Sequence, residues 1–192
     1  KFSKYGTIMT VDDTCGLGIF PTHNWSRTGE WAPIAELGVE GNSKLIQGNE
    51  YCYNCPVGCT QIRLVKEGEY AGYLSPPEFE TLYSFGGVTG NDNLESIIAA
   101  DYLCDEYGLD TISTGVTIGF AMELFERGII TEKDTDGLEL KFGNHRAMVE
   151  MVKRIAFRQG FGDVLADGSR VAARKIGKGS EKYLIHVKGL EM

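Results

Sequence analysis

Hydrophobic residues recur at helical spacing through the second half of the chain. The first such face consists of Leu94, Ile97, Ile98 and Tyr102, which lie three or four residues apart. Asp92, with Glu95 three residues later, fits a capping box at the start of this face, and Gly108 is suited to end it. The pattern therefore predicts a helix over residues 92–107.

Three more helices follow from the same reasoning. Asp110 can cap a helix over residues 110–127, which Gly128 ends. A third helix, over residues 145–159, is closed by Gly160, and its apolar face comprises Ala147, Met148, Met151, Val152 and Ile155. The fourth helix is predicted over residues 168–177.

The remaining segments predict turns and short strands. Residues 1–50 lack a long helical period and predict extended segments and turns, with one short helix near Trp31–Leu37. Residues 61–73 alternate and contain the turn sequence Glu67-Gly68-Glu69, which predicts a hairpin. A last extended stretch is expected over residues 183–188. The predicted fold is a mainly α, multi-helical domain with short hairpins, and residues 1–192 form one unit.

Composition and charge narrow the classes of function. The chain has 192 residues, 42% of them hydrophobic, and no apolar run of the roughly 18 residues that a membrane span needs. Nineteen basic and 27 acidic residues give a net charge of −8, which disfavours nucleic acid as a partner. Five cysteines, an odd number, do not suggest a secreted disulfide framework. We expect a cytoplasmic protein that binds neither membranes nor nucleic acid.

The clearest chemical signal is a cluster of three cysteines, Cys52, Cys55 and Cys59, spaced as CxxCxxxC. Three thiolates on one short loop suit an iron–sulfur cluster or zinc. An iron–sulfur cluster is favoured, because structural zinc sites usually combine two short half-sites and only one is present. Cys15 is a candidate fourth ligand, whereas Cys104 lies within a predicted helix and is expected to be a buried thiol.

A second signal is the junction between the first two predicted helices, Asp105 to Asp110. Two carboxylates flank Gly108 and Leu109, where one helix ends and the next begins. One interpretation is ordinary helix capping. The other is a binding corner, in which carboxylates accept hydrogen bonds from the amino and N–H edge of a pterin-like or guanine-like ring near a helix N-terminus.

Two short segments carry candidate proton-transfer groups. One contains Glu78 and Glu80 after Pro76-Pro77, and the other contains His186 and Lys188. Residues two apart in an extended segment face the same side, so His186 and Lys188 can address one ligand. Taken singly, the two glutamates fit surface acids and the histidine fits a structural role.

Together these motifs resemble the aldehyde:ferredoxin oxidoreductase family of tungsten-pterin enzymes. The resemblance runs from Phe20 to Met192. The motifs that carry it are CxxCxxxC at 52–59, Pro77-Glu78-Phe79-Glu80-Thr81, Asp105-x-x-Gly108-Leu109-Asp110, Ile112-Ser113-Thr114-Gly115 and His186-Val187-Lys188-Gly189-Leu190-Glu191-Met192. It implies oxidation of aldehydes to carboxylic acids, with electrons passed to ferredoxin.

The resemblance also implies roles for individual residues. Cys52, Cys55 and Cys59 would be three ligands of a [4Fe–4S] cluster. Pterin binding would fall to a set of five residues: Asp105, Gly108, Leu109, Asp110 and Lys188. Glu80, in preference to Glu78, and His186 would act beside a tungsten or molybdenum centre that two pterins hold.

By the family pattern, residues 1–192 correspond to the middle helical domain. The N-terminal domain that covers the pterins, and a C-terminal segment with the fourth cluster cysteine, lie outside it. We therefore expect the isolated chain to be inactive and to lack its cofactors. The expected partners are ferredoxin, a small aldehyde, the other domains of the same enzyme and a second copy of the enzyme. The competing hypothesis is a non-catalytic electron-transfer or scaffold module that binds iron–sulfur or zinc.

Overall fold

Helices dominate the computed structural model, which describes residues 1–192. The α-helices are α1 (Phe2–Tyr5), α2 (Met9–Gly16), α3 (Ile34–Leu37), α4 (Val39–Ser43), α5 (Phe79–Leu82), α6 (Leu94–Tyr107), α7 (Thr111–Glu126), α8 (His145–Ala156), α9 (Phe161–Leu165) and α10 (Ser169–Ile176). A π-helical turn, Tyr83–Gly87, continues α5, and 3-10 turns occupy Gly6–Ile8 and Ser180–Tyr183. The mainly α prediction is confirmed. None of the helices is both long and apolar enough to cross a membrane.

Helix α7 forms the centre of the molecule. Its residues from Thr114 to Leu124 are all buried, as expected of a helix that is apolar on every side. It contacts α5, α8 and α10, the π-helical turn and the C-terminal strand. The hydrophobic core is built largely around it and α6, with Ile97, Ile98, Phe120 and Leu124 inaccessible to solvent.

Two small antiparallel sheets lie at the edges of the helical body. One orders β1 (Ile46–Glu50), β2 (Thr60–Leu64) and β3 (Leu74–Ser75), with Arg63 opposite Ser75. This sheet confirms the hairpin predicted over residues 61–73. The other sheet pairs β4 (His186–Val187) with β5 (Leu190–Glu191), so the stretch predicted over residues 183–188 begins as a 3-10 turn and then enters a hairpin.

The prediction for the first 50 residues was incomplete, because α1, α2 and α4 form there in addition to the one expected short helix. Helix α2 forms there, and its Val11 and Cys15, one helical turn apart, are its only buried residues. Two apolar positions among polar neighbours give too short a period to recognise in the sequence. The short helix near Trp31–Leu37 is present as α3.

Two predicted helix boundaries also differ. Helix α6 is capped by Asn93, whose side chain accepts a hydrogen bond from the Ser96 amide at 2.8 Å, instead of by Asp92. Helix α8 ends at Ala156, and Gly160 starts a separate helix, α9, with a φ of 53°. The Phe161 amide there donates to Asp136 at 2.6 Å, a partner 25 residues away that the local sequence does not reveal.

Candidate functional site

The junction between α6 and α7 has the cap geometry that its sequence predicts. Gly108 adopts the left-handed conformation (φ 68°), and the Leu109 amide donates to the Cys104 carbonyl at 2.8 Å. Asp110 then caps α7, since its Oδ2 accepts from the Ser113 amide at 2.7 Å. The carboxylates of Asp105 and Asp110 are both exposed. Capping therefore uses one oxygen of Asp110 and leaves the rest of this acidic corner open to a ligand.

A cleft of about 180 Å³ opens beside this junction. Its lining residues come from the junction, from the first two turns of α7 and from the C-terminal helices: Gly108, Leu109, Asp110, Ser113, Thr114, Thr117, Ile155, Leu165, Ala166 and Gly168. Thr117 is only 2% exposed, and its Oγ1 has no hydrogen-bond partner within the chain. Because a buried hydroxyl without a partner is costly, this atom indicates that the cleft suits a polar group.

The predicted pterin residues divide into two sets. Gly108, Leu109 and Asp110 line the cleft, whereas Asp105 and Lys188 do not. Lys188 lies in the turn of the β4–β5 hairpin and is exposed, with a φ of 55°. Glu191 of this hairpin accepts from the amide and hydroxyl of Ser169, both at 2.7 Å, and the preceding Gly168 lines the cleft. The hairpin is therefore fastened beside the cleft without placing Lys188 in it.

The same hairpin turn orients His186. Its half-buried ring accepts a hydrogen bond at Nδ1 from the Gly189 amide, at 3.2 Å. Because Nδ1 is the acceptor, the neutral ring carries its proton on Nε2. His186 can therefore present Nε2–H as a donor to a ligand.

The two glutamates after Pro76-Pro77 differ in their surroundings. Glu78 is half-buried and accepts a hydrogen bond from the Thr7 hydroxyl. The Phe79 amide donates to the same Thr7 oxygen at 2.9 Å, so Thr7 holds the start of α5. Glu80 is exposed in the first turn of this helix. Of the two carboxylates, Glu80 is the one that remains free to act on a ligand.

The three clustered cysteines lie in the connection between β1 and β2. Cys52 is exposed and Cys55 and Cys59 are half-buried, all three as free thiols. Tyr51 and Tyr53 in the same loop are 63% and 96% exposed. No three His, Cys, Asp or Glu side chains of the chain are grouped as ligands for a metal ion. The thiols thus have the right chemistry and accessibility for a cluster, but the loop does not hold them in a ligand arrangement.

The two other cysteines belong to the core. Burial raises the pKa of the Cys15 thiol to about 11, which disfavours the thiolate that a metal ligand requires. Cys104 is inaccessible to solvent, and burial raises its pKa as well. The expectation of a buried thiol at Cys104 is confirmed, and Cys15 is also a buried core residue.

Sequence reasoning missed a buried polar cluster next to these segments. Its central residues are Arg63 on β2 and Asp101 on α6, which are 1% and 6% exposed. Asp101 falls on the apolar face of α6, four residues after Ile97 and three after Ile98. A charged residue at a core position of a helix was the available signal.

Comparison with known proteins relates the chain to one family. A family model described as "Aldehyde ferredoxin oxidoreductase, domains 2 & 3" matches residues 1–192. The tungsten-containing aldehyde ferredoxin oxidoreductase of Thermococcus kodakarensis is 36% identical over 191 residues, covering 98% of this chain and 31% of the relative. That of Pyrococcus furiosus is 40% identical over 177 residues, covering 91% and 28%. The chain thus spans about a third of the length of these relatives.

Two further proteins that resemble this chain are named for other activities. The "Aliphatic sulfonate oxidoreductase, WOR-like subunit" of Pyrococcus furiosus is 38% identical over 177 residues, covering 88% of this chain and 28% of that protein. A solved structure, the active-site complex BamBC of benzoyl coenzyme A reductase with 1,5-dienoyl-CoA, superposes with a TM-score of 0.77. It is 26% identical and is covered over 28% of its chain, against 96% of this one.

Proposed function

This chain belongs to the aldehyde ferredoxin oxidoreductase family, and from that membership we propose that its parent protein oxidises aldehydes to carboxylic acids at a tungsten–bis(pterin) centre. A [4Fe–4S] cluster, with Cys52, Cys55 and Cys59 among its ligands, would supply one-electron transfer to ferredoxin. The observation that carries the proposal is the polar cleft at the α6–α7 junction, with its capped helix terminus and the unpartnered Thr117 hydroxyl. The five free cysteines are consistent with a reducing cytoplasm.

The residues of this chain would hold the cofactors as follows. Asp110 in the cleft and exposed Asp105 at the same junction would accept hydrogen bonds from the amino and N–H groups of a pterin edge. Exposed Lys188, which lies outside the cleft, would donate a hydrogen bond to a pterin. Gly108 has no side chain, so a ring could approach the backbone closely there, and Leu109 would offer an apolar contact beside it. Cys52, Cys55 and Cys59 supply three thiolates to the cluster. When bound, the metal–pterin centre supplies the two-electron redox chemistry.

Proton transfer is assigned to Glu80 and His186. Exposed Glu80 accepts a proton from the water molecule whose oxygen is added to the carbonyl carbon of the aldehyde, and Glu78 remains engaged with Thr7. The two electrons of the oxidation would pass to the metal–pterin centre, and the second proton would be released to solvent with the acid. His186 donates from Nε2 to the oxygen of the substrate, since its Nδ1 is occupied by the Gly189 amide. This division gives one group that accepts a proton and one that stabilises developing charge.

A second reaction within the same family is reduction of an organic acid derivative in a larger complex. The similarity to the benzoyl coenzyme A reductase complex, at 26% identity and a TM-score of 0.77, supports it. Glu80 and His186 would then serve to deliver a proton to the substrate instead of removing one. Activity assays with aldehydes and with acyl thioesters distinguish the two directions.

The proposed proton acceptor is tested by Glu80→Gln in the full-length protein. The amide keeps the size of the side chain but cannot accept the proton, so we expect kcat for aldehydes to fall about 100-fold or more. Tungsten and iron contents should stay at the wild-type level. Glu132→Gln, at an exposed glutamate in a loop, is the matched control and should leave kcat unchanged. Wild-type turnover of every tested aldehyde by Glu80→Gln would contradict the assignment.

A further inference from the structure

A buried carboxylate lies between the segment that carries Glu80 and the cofactor cleft. Asp101 Oδ2 accepts a hydrogen bond from Ser75 Oγ at 2.6 Å, and Oδ1 accepts from Thr81 Oγ1 at 3.1 Å. Ser75 ends β3, just before Pro76-Pro77, and Thr81 follows Glu80 in α5. One side chain of α6 therefore holds both ends of the segment that contains the two glutamates.

The same network continues to the first residue of α7. Thr81 Oγ1 lies 3.2 Å from Thr111 Oγ1, directly after the cap residue Asp110. Because a hydroxyl carries a single hydrogen, Thr81 donates to the carboxylate and accepts from Thr111. Ser84 Oγ also donates to the Thr111 carbonyl at 3.2 Å. These hydrogen bonds thus connect α6, α5 and the start of α7 in one network.

Arg63 holds the same segment from the opposite side. Its Nη1 donates to the carbonyls of Gln61 at 2.9 Å and Pro77 at 2.8 Å, the latter directly before Glu78. Burial lowers the pKa of Arg63 to about 10, although Glu78 and Asp101 favour its charged form. The backbone before α5 is therefore fixed between a buried cation and a buried anion.

Helix α7 and the continuation of α5 also meet at backbone distance. A Cβ built on Gly115 would lie 2.8 Å from the Ser84 carbonyl carbon. No side chain fits between these two segments, so neither can shift toward the other. The polar links through Asp101 then determine how α5 is oriented over the start of α7.

We propose that Asp101 is a positioning residue, whose buried carboxylate fixes the helix carrying Glu80 against the first turn of the helix that Asp110 caps. The inference rests on the proposed function, because it assigns Asp101 the task of holding Glu80 in place relative to the cofactor cleft. Burial raises the pKa of Asp101 to about 6, so its ionised form is disfavoured in the fold.

The test compares Asp101→Asn with wild type in the full-length, tungsten-loaded enzyme. We expect kcat to fall about tenfold to 100-fold, with KM for the aldehyde within about twofold, because Glu80 is displaced while binding is retained. Amide hydrogen exchange should become faster in α5 and in the first turn of α7 and remain unchanged elsewhere. Glu95→Gln, at the far end of α6, is the matched control and should change neither measurement.

Thr81→Val supplies a second variant should Asp101→Asn fail to fold. It removes the hydroxyl that connects Asp101 to Thr111 and keeps the branched shape, so the same kinetic and exchange changes are expected. Wild-type kcat, or wild-type exchange in both helices, in a folded variant would overturn the proposal. An inactive wild-type enzyme without tungsten would instead refute the proposed function, and the exchange data would still decide whether Asp101 fixes the two helices.

Discussion

Ionisation of the buried Asp101 carboxylate lowers the stability of the fold, and this cost can be measured from the pH dependence of unfolding. Its pKa is raised from 3.8 to about 6, chiefly by burial and to a lesser extent by the charge of nearby Asp105. Hydrogen bonds from Ser75 and Thr81 and the charge of Arg63 act in the opposite direction, but burial is the largest effect. The stabilising contribution of protonated Asp101 is therefore complete below about pH 4 and is lost as the pH rises through about 6.

Asp101→Asn should remove this pH dependence, because asparagine does not titrate. We expect the variant to gain stability relative to wild type between pH 4 and pH 7, by on the order of 3 kcal/mol for a shift of about two pKa units. Thermal unfolding midpoints of the two full-length proteins, measured across that range, give the comparison. A difference that stays constant with pH would mean that Asp101 ionises as it would in water.

Two cysteines in contrasting surroundings test the cluster assignment. Cys55 is a half-buried thiol in the β1–β2 connection, and Cys104 is inaccessible in the core. In the anaerobically purified full-length protein, Cys55→Ala should lose most of the iron, because a thiolate ligand is removed. Cys104→Ala should keep its iron, although a small cavity will lower its stability. Equal iron contents in the two variants would contradict the assignment.

Residues with local roles were predictable, and those with distant partners were not. Gly108 and Asp110 end and begin helices through contacts within a few residues, and sequence reasoning placed both. The role of Asp101 depends on Ser75 and Thr81, 26 and 20 residues away, and on the fold that brings them together. The predicted catalytic, cofactor and cluster residues remain predictions that the experiments above test.

At the scale of elements, Asp110 caps α7, and its proposed second role in pterin binding can be separated from capping by substitution. Asp110→Ala removes the cap of α7 and should cost about 1 kcal/mol of stability, whereas Asp110→Asn keeps a capping oxygen. Asparagine lacks the charge that favours pterin N–H donors. We expect Asp110→Asn to match wild type in thermal unfolding of the cofactor-free protein while its pterin content falls.

The control for this prediction is Asn93→Asp, at the cap of α6, which conserves capping at a position outside the cleft. Pterin released from each full-length protein is quantified by fluorescence after oxidation. Wild-type pterin content in Asp110→Asn would show that Asp110 serves only as a helix cap. That outcome would favour the plain capping interpretation of this junction.

The predicted helix boundaries agree best with the structure where the hydrophobic pattern or the capping signal is strong. Helices α6, α7 and α10 lie close to their predicted ranges because long apolar faces or clear caps define them. Helix α2 was missed because only Val11 and Cys15 are buried in it. The break between α8 and α9 depends on Asp136, which binds the Phe161 amide from a separate loop. Tertiary contacts therefore determine the helix boundaries that the local hydrophobic pattern does not define.

For the whole molecule, helix α7 is the element that packs against several of the segments carrying the proposed site residues. Its first turns line the cleft, and it packs against both α5, which carries Glu80, and β5, which follows the His186 hairpin turn. The chain spans 28–31% of the length of these curated relatives, and we propose that segments corresponding to the rest of their length complete the cofactor site. The exposed Cys52–Cys59 connection is expected to gain its ligand arrangement together with those segments.

The most direct test of the account is metal analysis of the full-length protein purified without oxygen. Mass spectrometry should find tungsten, or molybdenum in its place, together with about four iron atoms per chain for the cluster. Iron without tungsten or molybdenum would support an electron-transfer module instead of an oxidoreductase. Zinc without iron, tungsten or molybdenum would contradict the account, because the cysteine loop would then be a structural site and the cleft would hold no redox centre.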